Sequence, residues 1–127
     1  MADYTPVYAG GAQPMTKTAS TSITGGTLVE ATTASAVGTA GAASTKVVGV
    51  AAHDAASGAR VTVWPLNNVE HEITSTGTIA VGDGIASGAS GVAATAAVAT
   101  AAAAGTLIGR ATTGATGGAK VRFVGGS

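Results

Sequence analysis

Few residues in this chain can do chemistry, and their spacing is sparse. His53 and Asp54 are adjacent, and an Asp-His pair can belong to a nucleophilic triad. No nucleophile-elbow motif accompanies them, so the plainer reading is a solvated loop. Glu70-His71-Glu72 lies on a strand-like run, which puts both glutamates on one face and His71 on the other. A metal ion there would need at least one more convergent ligand. The run is therefore read as a charged, exposed strand face, with pairing to an Arg or Lys of a neighbour as a second possibility. Gly82-Asp83-Gly84 is a turn signal. It lacks the Gly-Lys-Ser/Thr of a phosphate loop and the later acidic ligands of a calcium loop. Trp64 heads the apolar cluster Trp64-Pro65-Leu66 and is expected to cap the core or to anchor a contact between copies. No catalytic residue, cofactor or metal ligand is assigned, and the chain is not expected to be an enzyme.

Composition narrows the classes further. The chain has 127 residues, enough for one domain. Thirty Ala, 20 Gly and 20 Thr make up more than half of it. Charges balance at six basic and six acidic residues, which gives no electrostatic footprint for nucleic acid or an anionic membrane. Zero cysteines exclude disulfides and thiolate chemistry. No apolar run is long enough to span a membrane as a helix. The N-terminus has no basic region followed by an apolar core, so it does not read as a signal peptide.

The elements that must position these residues read as β. Val, Ile and Thr occur in short runs between glycines: Leu28-Val29, Val47 to Val50, Val61 to Val63, Ile73 to Val81, Leu107-Ile108 and Val121 to Phe123. Residues 1–22 differ in texture. They hold Tyr4, Tyr8, Pro6, Pro14 and a Gly10-Gly11 pair, and are expected to form an extended N-terminal arm, either a solvated tail or a segment that orders on a partner. Tyr4, Pro6 and Tyr8 are its candidate contact residues. Residues 23–127 are expected to form a single domain. Ala93 to Ala104 is in conflict with that texture, since alanine favours helix but the run has no charged face and Val98 as its one large apolar residue. A thin strand from Val92 followed by a loose loop is the reading preferred here.

The chain also repeats itself. Val47-Val48-Gly49-Val50-Ala51 matches Leu107-Ile108-Gly109-Arg110-Ala111, and Gly58-Ala59-Arg60-Val61-Thr62-Val63 matches Gly118-Ala119-Lys120-Val121-Arg122-Phe123. Both lie 60 residues apart (109 − 49 and 118 − 58). Upstream, Gly26-Thr27-Leu28-Val29 aligns with Gly82-Asp83-Gly84-Ile85 at 56 (82 − 26). A four-residue insertion in the second copy, within the Ala-rich stretch, reconciles the offsets. The expectation is an all-β small barrel with an approximate internal two-fold repeat, pseudo-repeats spanning about 24–64 and 80–124. Neither copy has much apolar surface, so the two are expected to share one core.

With these motifs in order, the chain resembles the small head-decoration (capsid cement) proteins of tailed bacteriophages, a β-tulip family often described as of unknown function. The resemblance runs through Gly26-Thr27-Leu28-Val29, Val48-Gly49-Val50-Ala51, Asp54-Ala55-Ala56-Ser57-Gly58 and Val61-Thr62-Val63. It continues through Ile79-Ala80-Val81-Gly82-Asp83, Ile108-Gly109-Arg110-Ala111 and Gly118 to Phe123. Trp64-Pro65-Leu66-Asn67-Asn68 departs from the family pattern, which has a Gly before an aromatic strand. The resemblance implies a β-tulip-like barrel made in the bacterial host cytoplasm and bound to the outer surface of an icosahedral phage capsid. It implies a homotrimer that bridges subunits of the major capsid protein and stabilises the expanded shell, with the N-terminal arm adding to a sheet edge. No nucleic acid, membrane or cofactor is implied. The alternative is a virion or cell-surface binding module, such as a fibre or glycan-binding domain.

Overall fold

A computed structural model describes residues 3–126; residues 1 and 2 of the expected arm and residue 127 lie outside the described residues. The alternating and glycine-bounded runs become ten strands: β1 (Met15–Ala19), β2 (Leu28–Ala31), β3 (Ala36–Thr39), β4 (Val47–Ala51), β5 (Arg60–Pro65), β6 (Glu70–Thr74), β7 (Gly84–Ser87), β8 (Ala93–Ala96), β9 (Gly109–Ala111) and β10 (Lys120–Gly125). The protein is all-β, and its strands form two units. The first is a closed barrel in the order β1-β3-β2-β4-β5; the second is a five-stranded sheet in the order β6-β10-β9-β7-β8.

The units repeat strand for strand. Met15 pairs with Val63 across β1 and β5, and His71 pairs with Phe123 across β6 and β10. The isolated bridge Ile23–Ala55 recurs as Ile79–Ala115. The parallel pair Ala19–Val37 closes the first barrel, and Ser75–Ala93 stands in the same place in the second. The pairing fixes the insertion between Ala93 and Gly109, in the Ala-rich stretch, where the second unit carries a helix, α1 (Val98–Ala104). The repeat is also longer than its sequence signature, because β1 and β6 belong to it.

Two glycines per unit carry the geometry. A Cβ on Gly49 would run into the carbonyl oxygen of Trp64, and one on Gly109 into that of Val124. Gly58 and Gly118 both have φ of 86° in the turn before β5 and β10, a conformation that side chains resist.

Four expectations need correction. The 1–22 segment is not all arm, since β1 lies within it and closes the barrel through β3 and β5. The units do not share one core. One cluster fills the first barrel, built on Val29, Val37, Val61 and Val63. The other is built on Ile73, Ile85, Val121 and Phe123, with Leu28 and Val50 of the first unit packed into it. A bulge between Val29 and Glu30 in the β2–β4 pairing shifts the register there, so that Val48 packs into the first cluster and Val47 into the second. The strand-like run from Ile73 to Val81 is ladder only to Thr74 and then continues through single bridges at Ser75 and Ile79. Finally, the strand expected from Val92 is present as β8, but the loop after it is α1. An alanine helix needs no large apolar stripe when Ala101 is its buried residue. Gly105 in the left-handed region (φ 76°) ends it, donating to the carbonyls of Ala101 and Ala102.

Candidate functional site

The densest polar constellation centres on β6. Its burial alternates, so His71, on the inward face, is fully buried while Glu70 and Glu72 stay partly exposed. The residue in the matching place of the first unit is Met15. A histidine there must satisfy two ring nitrogens. Nε2 lies 2.8 Å from the carbonyl oxygen of Pro65, so it carries the proton and donates. Nδ1 is then the acceptor, and the Tyr4 hydroxyl donates to it at 2.6 Å. The same hydroxyl oxygen accepts the Glu72 backbone N–H at 3.2 Å. The Tyr4 ring stacks on the imidazole at 5.7 Å, and Phe123 packs against it at 5.6 Å in a tilted arrangement. Burial lowers the His71 pKa from its ordinary 6.5, partly opposed by the Pro65 hydrogen bond. Burial also raises that of Tyr4. The ring is therefore neutral at pH 7.

The chain around Tyr4 is fastened as a strap. Tyr4 N–H donates to Ala52 O at 2.7 Å and Val7 N–H to Glu70 O at 2.8 Å, while Glu70 N–H donates to Tyr8 O at 2.9 Å. Tyr8 and Glu70 form an antiparallel bridge. Tyr4 is thus half-buried on the body of the protein, Pro6 is half-buried beside it, and Tyr8 is 69 % exposed.

On the outward face of β6, Glu72 accepts from Arg122 Nε at 3.0 Å. Glu70 accepts from the Thr112 hydroxyl at 2.7 Å. These carboxylates are engaged within the chain. His53 and Asp54 also serve loop structure. Nε2 of His53 accepts the Thr62 N–H at 3.2 Å, and its Nδ1 donates to Asp54 O at 2.9 Å. The Asp54 carboxylate accepts the Gly25 N–H at 2.9 Å. In the second unit the Thr113 hydroxyl takes the place of His53 and accepts the Arg122 N–H. Asp83 closes its turn by accepting the Ala80 N–H at 2.9 Å.

Trp64 is half-buried on the outward face of β5, opposite Val50, and belongs to neither core cluster. A groove of about 600 Å³ runs between α1, β8 and the 42–43 turn. Its walls are Ala, Thr, Ser and Gly, including Ala43, Ala86, Thr95 and Ala101, with no titratable group. Among the described residues, no three His, Asp or Glu side chains converge as a metal site. Among the same residues, no helix is long and apolar enough to cross a membrane.

Sequence reasoning placed His71 on the face opposite the two glutamates but missed its burial and its partner, because Tyr4 is 67 positions away and no spacing rule links them. The period-2 alternation of β6 was the available signal. It separates a buried histidine from two outward carboxylates, and a buried histidine calls for partners.

No family model and no curated protein matches the chain. Among solved structures, it is similar to the head fiber gp8.5 N base of bacteriophage phi29. The likeness has a TM-score of 0.67 at 20 % identity and covers 90 % of this chain and 93 % of that one. It spans both units and establishes a shared fold.

Proposed function

We propose that this chain is a structural virion protein of a tailed phage that attaches to the outer surface of the capsid. The fold likeness to a phage head fiber base over 90 % of the chain carries this reading. The ordered motif resemblance to head-decoration proteins supports it independently. In this reading, three copies assemble as a homotrimer where subunits of the major capsid protein meet, and bridge them. Each contact is modest, and several held together resist separation far better than one. Tyr8, exposed on the strap, and Pro6 beside it contact the shell. Tyr4 roots the strap on β6. Trp64, outward and half-buried, is the contact anchor between copies. Balanced charge suits a surface that meets protein and not packaged DNA.

Mixing the purified protein with expanded empty shells tests this reading. Saturable binding and a higher shell disruption temperature are expected. A shell that binds none of it overturns the proposal. Tyr8→Ala is expected to weaken attachment without altering the fold.

The likeness to a head fiber base favours a second reading, in which the two units form the base of a fibre. Binding at a few discrete shell positions, in place of the whole three-fold lattice, would select it.

A further inference from the structure

The strap over β6 is held by a neutral histidine in one tautomer. We propose that residues 3–9 form a pH-released strap, with the Tyr4–His71 clasp as the latch that opens on acidification. The geometry sets the direction. His71 gives its one ring proton to Pro65 O and has a bare Nδ1 for the Tyr4 O–H. A second proton on Nδ1 puts two donors face to face. Rotating the Tyr4 hydroxyl turns its oxygen into an acceptor, but that oxygen already takes the Glu72 N–H, and the displaced O–H then needs a new partner in a half-buried site.

No charge nearby rescues the imidazolium. From the strap, Tyr4 is the titratable group that faces the ring. From β10 the ring meets Phe123, which carries no charge, and the end of β5 presents the Pro65 carbonyl. Glu70 and Glu72 lie on the opposite face, one engaged by Thr112 and the other by Arg122. With the strap released, water reaches His71, the burial that lowers its pKa is relieved, and the ring takes up a proton more readily than in the clasp. Proton uptake therefore favours the open form. The open-to-closed ratio rises by up to tenfold per pH unit as the open form protonates, until the clasped ring itself protonates.

The hinge is present. Gly10 and Gly11 follow the strap at φ of 61° and 81°. Opening frees the Glu70 N–H and C=O, the Glu72 N–H and the Ala52 carbonyl, which turns a roofed strand end into an exposed pairing edge.

Amide hydrogen exchange by NMR on the full chain, from pH 7.5 to 5 and corrected for intrinsic rates, tests this. The Val7, Tyr8, Glu70 and Glu72 amides are expected to lose protection as pH falls, while Val61 and Val63 in the first barrel keep theirs. His71→Gln removes the titration and is expected to give a flat profile. Tyr4→Phe keeps the ring stack but lacks the latch, so it is expected to open the strap at pH 7.5 already. Strap protection that is independent of pH overturns the proposal. So does a pH dependence retained in His71→Gln. If that variant does not fold, Tyr4→Phe decides alone: strap protection equal to the parent at pH 7.5 overturns the proposal.

Discussion

The two five-stranded units share a backbone plan and close it by different means. In the first, β1 and β3 pair in parallel over Thr18–Ala36 and Ala19–Val37, and the interior is apolar. The second has a single bridge, Ser75–Ala93, at that seam. Where the first unit has Ala19 and Met15, the second has Ser75 and His71, both buried. Each buried polar side chain needs a partner, and the partners come partly from outside the unit. Ser75 donates to Ala119 O at 2.8 Å within it. His71 relies on Pro65 at the end of β5 in the first barrel and on Tyr4 from the strap. The first barrel is thus sealed by its own backbone. The second is completed by chain that precedes it. A repeat can keep its topology while one copy gives up self-sufficiency, and that copy becomes the place where a conformational change can start.

The largest expected effect tests the cores. Phe123 and Val63 occupy matching places and are both fully buried. Phe123→Ala is expected to cost about 4 kcal/mol and Val63→Ala roughly half of that, by chemical denaturation. Equal costs would contradict separate, unequal cores. Next come the glycines that admit a neighbouring carbonyl. Gly49→Ala and Gly109→Ala are each expected to cost about 2 to 3 kcal/mol, because the obstacle is backbone and not a flexible side chain. A much larger loss at one of them would show that the units are not mechanically equivalent.

A smaller effect sharpens the contrast at the clasp. His71→Met copies the first unit's residue into the second. Loss of the Tyr4 hydrogen bond is expected to cost about 1 kcal/mol at pH 7.5. Burial holds the His71 pKa below 6.5 in the folded protein, so the unfolded chain takes up more protons as pH falls. Stability contributed by the neutral ring is then full above 6.5 and declines below it. In denaturation midpoints measured from pH 7.5 to 5, the parent is expected to lose stability and the variant to lose less. Identical profiles would remove His71 from the account. The smallest effect belongs to the outward pair. Glu72 and Arg122 side chains are 38 % and 43 % exposed, so Glu72→Gln is expected to leave the denaturation midpoint nearly unchanged, the more so in high salt.

Much of this plan was legible in the residues. Gly49 and Gly109 sit at matching places in the two units, and each must admit a neighbouring carbonyl. The insertion could be placed in the Ala-rich run because the offsets change across it. Other features left no local trace. β3 contains one large apolar residue, Val37, and β1 mixes Lys17 with three small polar or apolar neighbours, so neither reads as a strand alone. Their pairing partners make them strands. The two cores were hidden because Leu28 and Val50 point out of their own barrel and are buried only against the other unit. Nothing local to Tyr4 signals its hydrogen bond to His71, because that partner is 67 positions away.

The capsid-surface role proposed for this two-unit fold is tested most directly by a cryo-EM map of expanded shells saturated with the chain. The expected map shows trimeric density on the outer surface at three-fold and quasi-three-fold positions, with the strap end of the second unit or Tyr8 at the shell. Shells that carry no such density at saturating protein, or density confined to the inner face, would contradict it.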